Sequence, residues 1–184
     1  LVVLSLLSAC SAQDSETGSS AQTSSGEAAA VPSTVRMAVT VDPDGLDPHM
    51  SASASTFQVT SSIYETLVTV DEKGVIIPSL ADSWSIADDG MSITFHLRPD
   101  ARFSNGRVCD AGAVVSSFER LLSESVRSGD YSSIESVTAL DESTVEFTFS
   151  TLNVVALSLF AYPWSAVVDT SAADSLRTAP VGTG

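Results

Sequence analysis

The chain has 184 residues, of which 43% are hydrophobic and 17% charged, a balance that suits one folded domain and excludes disorder along the whole length. Its 23 acidic residues outnumber 8 basic ones, and the formal charge of −15 repels phosphate backbones and anionic surfaces, so nucleic acid is excluded as a partner. The acidity itself reads as a solvated, solubilising surface rather than a cation site.

Residues 1–7 are almost wholly apolar but far short of the ~20 residues that a membrane-spanning helix needs, and they read as the apolar stretch of a secretory signal. Without a Met or basic residues in front, residues 1–9 are expected to be the remnant of a longer signal peptide. Leu7, Ser8, Ala9 and Cys10 resemble the lipobox of bacterial lipoproteins, which implies lipid attachment at Cys10 and a membrane anchor there. Residues 11–30 hold no aromatic or large aliphatic side chain, so they cannot offset their own ordering entropy, and 10–33 is expected to be a lipidated cysteine on a flexible linker. With Cys10 acylated, Cys109 has no disulfide partner and reads as a small buried apolar residue.

Order is expected from residue 34, where Val35, Met37, Val39 and Val41 alternate with polar or small neighbours as in a strand. Asp42, Pro43, Asp44, Gly45 and Pro48 keep the next stretch irregular. Ser55 or Thr56 can cap a helix running to about Leu67, with Phe57, Ile63 and Tyr64 on its apolar face. Residues 66–70 and 75–77 flank Asp71, Glu72, Lys73 and Gly74 as a hairpin. Met91, Ile93, Phe95 and Leu97 alternate with Ser92, Thr94 and His96 in the clearest strand of the chain. A helix over 110–123, capped by Asp110, sets Val114, Phe118, Leu121 and Leu122 on one side. Strands over 134–140 and 144–149 turn at Asp141, Glu142 and Ser143; a short buried helix over 153–160, stopped by Pro163, and a strand over 166–168 follow. This mix predicts an α/β or α+β fold without internal repeats.

Enzyme signatures are absent: there is no G-x-S-x-G, no G-x-x-x-x-G-K and no G-x-G-x-x-G. His49 stands beside Asp47, but His49 and His96 are far apart and have no cysteine pair to complete a zinc site. Asp88 and Asp89 precede Gly90 and suit a turn better than acid/base work.

The order of several blocks carries the reading. Pro78-Ser79-Leu80-Ala81-Asp82-Ser83-Trp84, Asp88-Asp89-Gly90, residues 93–101 and Phe103-Ser104-Asn105-Gly106 resemble the signature of family 5 solute-binding proteins, the peptide-, dipeptide- and nickel-binding components of ABC importers. Leu46-Asp47-Pro48-His49, Ile63-Tyr64-Glu65-Thr66-Leu67 and Pro180-Val181-Gly182-Thr183-Gly184 fit further blocks. One departure is Ala113 and Val114, where the family has an acidic residue and Val. Gly90 and Gly106 fall at turns, and Trp84 and Phe95 suit one sheet core, so most of the signature is expected to be structural.

The resemblance implies a type II periplasmic-binding-protein-like α/β (mixed α+β) fold: an incomplete first lobe with an inserted subdomain. The expected parts are 34–66, opening lobe I, 67–165, the inserted subdomain, and 166–184, the return to lobe I. With no enzyme signature and no metal-ligand cluster among its motifs, the sequence is expected to be no enzyme and to need no cofactor or metal; the resemblance implies a monomeric, extracytoplasmic, lipid-anchored protein that captures a peptide or other small solute and passes it to permease subunits. The loop after Leu46-Asp47-Pro48-His49 then carries solute-contacting residues, Ser51, Ala52, Ser53, Ala54 and Ser55, with Tyr131 as a further candidate. Rival readings are a secreted hydrolase lipoprotein, which would need a nucleophile and base, and a structural surface lipoprotein, which would favour repeats.

Overall fold

The structure, a computed structural model, describes residues 36–184. The signal remnant, Cys10, the linker over 10–33 and the first two residues of the strand expected from 34 lie outside that range. Residues 36–41 form no strand: Met37 and Val41 are exposed, because alternation alone makes no sheet and no described strand offers these residues a hydrogen-bonded partner.

Helix α1 (Ala54–Thr60) is shorter than expected, with Ser53 at its N-cap. Ser55 and Thr56 lie inside it, and Ser61 and Ser62 end it, as residues whose hydroxyls compete for backbone groups; the Ser61 Oγ donates to the Gln58 carbonyl. Tyr64 and Leu67, assigned to that helix by their spacing, are instead buried in the connection to the hairpin of β1 (Val68–Val70) and β2 (Ile76–Pro78), where Val70 faces Ile76 as the turn residues predict.

The main sheet has four antiparallel strands in the order β3 (Ala81–Ile86), β4 (Ser92–Leu97), β6 (Thr144–Phe149), β5 (Ile134–Ala139). Turns at Gly90 and Gly106 have φ of 68° and 88°, which only glycine takes without strain. The alternation in β4 puts Ile93, Phe95 and Leu97 in the core and leaves His96 exposed; Val145, Phe147 and Phe149 do the same in β6. Both outer strands are mostly exposed, and each has a register irregularity near its start, at Ala81/Ser83 and Ile134/Ser136. Helix α2 (Ala111–Glu124) packs against β5 and β6 through Val114, Phe118 and Leu121, and Asp110 caps it by accepting from the Ala113 N–H at 2.8 Å, so Ala113 in place of an acidic residue leaves the cap intact. Phe118 of α2, Phe95 and Phe147 of the sheet and Phe160 after α3 (Ala156–Leu159) meet edge-on, with ring centroids 4.6 to 5.7 Å apart. Each buried ring contributes about 1.5 to 3 kcal/mol of transfer free energy, and each pair adds roughly 0.5 to 1.5 kcal/mol.

A second, smaller core joins Tyr64 to Ala166, Val168 and Leu176. The segment expected as a strand at 166–168 is extended and buried but pairs with no strand: the Val167 N–H goes to the Glu65 carbonyl and the Val168 N–H to the Ser117 hydroxyl.

Candidate functional site

The signature blocks meet in space as joints between distant segments. Arg98 forks onto Glu65, with Nη1–Oε1 at 2.9 Å and Nη2–Oε2 at 2.8 Å, binding the end of β4 to the start of the hairpin. The Phe103-Ser104-Asn105-Gly106 block seats Phe103 in the core, donates the Ser104 N–H to the Gly182 carbonyl and gives the Asn105 amide to Asp169 at 2.7 Å. Arg107 also pairs with Asp169. Burial would raise the Asp169 carboxyl, but hydrogen bonds from Ser171 and Asn105 and the charge of Arg107 outweigh it and hold the group below the ordinary value. Gly182 lies against the Ile63 carbonyl with no room for a Cβ, so glycine is required there by close approach. These residues explain the fold and leave little to touch a solute.

The residues proposed for solute contact fall into two environments. Ser51 is buried and donates to the Asp44 carboxylate at 2.7 Å, beside Thr56, which donates to the same oxygen at 2.6 Å. Those hydroxyls, Thr56 foremost and then Ser51, hold the Asp44 carboxyl below its ordinary value. Ser53 and Ser55 share a hydrogen bond of 2.8 Å. Ala52 and Ala54 are exposed, and the N–H and C=O of Ala52 have no partner among the described residues. The segment therefore spends its hydroxyls on its own loop and offers backbone to the outside. A pocket of about 240 Å³ beside it is lined by Asp44, Asp47, Met50, Ser51, Arg120 and Arg177. Tyr131 is elsewhere: fully buried, it donates its hydroxyl to the Leu159 carbonyl at 2.9 Å, and burial pushes its ionisation upward. As a core residue it has no polar atom facing out.

His49, set aside above as a metal ligand, is fully buried in a network that the sequence did not reveal. Asp47 receives both terminal nitrogens of Arg120, Nη1 at 3.2 Å and Nη2 at 2.6 Å, and Arg120 Nη1 also donates to His49 Nδ1 at 3.0 Å. The partners are 71 and 73 positions apart, beyond any local pattern, and Arg120 lies to one side of the buried face of α2 formed by Val114, Phe118 and Leu121, so no apolar period marked it. Among the described residues no group of three or more His, Cys, Asp or Glu could hold a metal ion. Cys109 is buried, and burial pushes its thiol up to about 12, so it is inert at neutral pH.

Comparison with known proteins decides the family. Residues 75–184 match the family model described as bacterial extracellular solute-binding proteins, family 5 Middle. The chain belongs to this family. It is 39% identical to the nickel-binding periplasmic protein of Escherichia coli over 94 residues, covering 51% of this chain and 18% of that one. Among solved structures it is similar to the periplasmic binding protein AgaA of A. tumefaciens R10 in complex with agropinic acid, with TM-score 0.72 and 33% identity over 78% of this chain and 30% of that one. It is also similar to DppA from Helicobacter pylori in complex with the peptide STSA, with TM-score 0.68 and 29% identity over 78% and 34% of the two chains. The chain thus spans about a third or less of these relatives. The mixed α/β architecture is part of the periplasmic-binding-protein fold, and the family is one of extracytoplasmic solute binders rather than catalysts.

Proposed function

We propose that this chain belongs to the substrate-binding subunit of an ABC importer, anchored outside the membrane by a lipid on Cys10, which captures peptides or similar small solutes and hands them to the permease. The observation that carries the reading is the 51–55 segment. Its hydroxyls are tied down by Asp44 and by one another while the Ala52 backbone stays unpaired and exposed, which is what an extended peptide needs to form main-chain hydrogen bonds. Relatives whose solved complexes hold agropinic acid or the peptide STSA support a small organic solute. The small core that joins residues 63–64 to 166–181 supports the division in which both belong to lobe I and 67–165 is inserted between them. A solute held between two lobes would also contact residues that this chain does not include.

The test is calorimetry of the complete gene product against a di- and tripeptide panel. Ala52→Pro, which removes one exposed N–H, should weaken binding roughly threefold to tenfold at an unchanged melting temperature, the value of one hydrogen bond of about 0.5 to 1.5 kcal/mol. Unchanged affinity rejects the segment as a contact. Cys10→Ala in a protein with an intact signal peptide should move it from the membrane fraction to the soluble one; retention in membranes rejects the lipid anchor.

A further inference from the structure

At the root of the 51–55 segment, the Asp47–Arg120–His49 network fixes a protonation state by geometry alone. A guanidinium has no lone pair to offer, so His49 Nδ1, 3.0 Å from Arg120 Nη1, must be an acceptor. A backbone carbonyl has no proton to offer, so His49 Nε2, 3.0 Å from the Ala166 oxygen, must be the donor. The ring is therefore the neutral Nε2–H tautomer. A second proton would aim an N–H at a cation with no acceptor between them.

The same residues hold the loop. The His49 N–H donates to Asp47 Oδ1 at 3.1 Å, and the His49 carbonyl accepts from the Ser125 hydroxyl at 2.8 Å and the Val126 N–H at 3.2 Å, both just past α2. Two residues on, Ser51 begins the hydrogen bonds to Asp44. We infer that Arg120, acting through Asp47 and the neutral Nε2–H form of His49, positions the 42–56 loop, and that acidification loosens this loop before it loosens the sheet. Its effect on solute capture rests on the reading of 51–55 as the contact segment.

The charged surroundings of His49 are few. Arg120 faces it from α2, with Glu124 Oε2 3.3 Å from the Arg120 Nε; Asp47 faces it from its own loop; Tyr64, whose hydroxyl burial pushes up, senses Asp47 and Arg120; and segment 166–168 contributes only a carbonyl. Burial foremost, and then Arg120, disfavour the charged ring, against the Ala166 carbonyl and Asp47, and lower its pKa from 6.5 to about 4. Between those values the unfolded chain binds more protons than the folded one. The stabilisation is complete above pH 6.5 and is lost as pH falls toward 4.

The test follows hydrogen exchange and imidazole ¹⁵N shifts in the complete protein, without solute, from neutral pH to pH 4. The expected result is an Nε2–H ring at neutral pH, and protection of the Leu46, His49 and Ser53 amides falling roughly tenfold or more relative to core amides as His49 is protonated. His49→Gln, which keeps a donor and an acceptor but cannot charge, should flatten that differential loss. An Nδ1–H or charged ring at neutral pH, or loop amides that track Phe95 and Phe147 throughout, overturns the inference. Should the Gln variant not fold, the comparison of loop and core amides in the unmodified protein decides it alone. Because no solute is added, failure here leaves the contact role of 51–55 untouched, and failure of the Ala52→Pro test leaves the network untouched.

Discussion

The four-stranded sheet and the 42–56 loop are neighbours in one unit but hold themselves by opposite means. Four phenylalanines and the α2 face give the sheet non-directional apolar burial, which tolerates small shifts. The loop has few large apolar contacts and relies on directional bonds to Asp44, Asp47 and His49, each of which works only at one geometry and one ionisation state. Apolar burial thus sets how stable the unit is, and the polar loop sets where the exposed Ala52 backbone points.

Two substitutions sharpen that contrast. The larger effect is expected at Phe147→Ala, where a ring in contact with Phe95, Phe118 and Phe160 leaves a cavity and about 3 to 5 kcal/mol is lost. Urea unfolding of the complete protein should show that loss with loop amides and sheet amides affected alike. Arg120→Met should cost somewhat less, about 3 kcal/mol, because it leaves the buried Asp47 charge without its partner. Its signature is different: loop protection should fall first, and adding Asp47→Asn should recover part of the loss, since removing both charges is gentler than removing one. A double variant as unstable as the sum of the singles would break the contrast.

Periodicity was readable in the sequence wherever it recorded a buried face. Strands β4 and β6, the hairpin and α2 with its Asp110 cap follow from alternation, turn residues and helical spacing. Strand β3 escaped because Asp82, Ser83 and Ser85 lie on an edge with little buried, so no apolar period marks it. The opposite error fell on residues 36–41, where alternation was present without a partner strand. Near the candidate site, Ser51 to Ser55 could be found as a small polar loop, and the resemblance pointed to it. The pairing of Asp47 and His49 with Arg120 could not be found, because each residue is locally ordinary and only the fold brings them together.

The two outer strands of the sheet have a further consequence. Among the described residues each leaves one row of backbone N–H and C=O groups open, the arrangement through which sheets recruit copies of themselves into aggregates. Here Asp82 and Ser83 on β3 and Glu135 and Ser136 on β5 sit next to the register irregularities, so polar side chains and a locally broken ladder occupy the places where a second molecule would begin to pair. Both edges of the described sheet thus carry the features that oppose strand-by-strand addition of a second molecule.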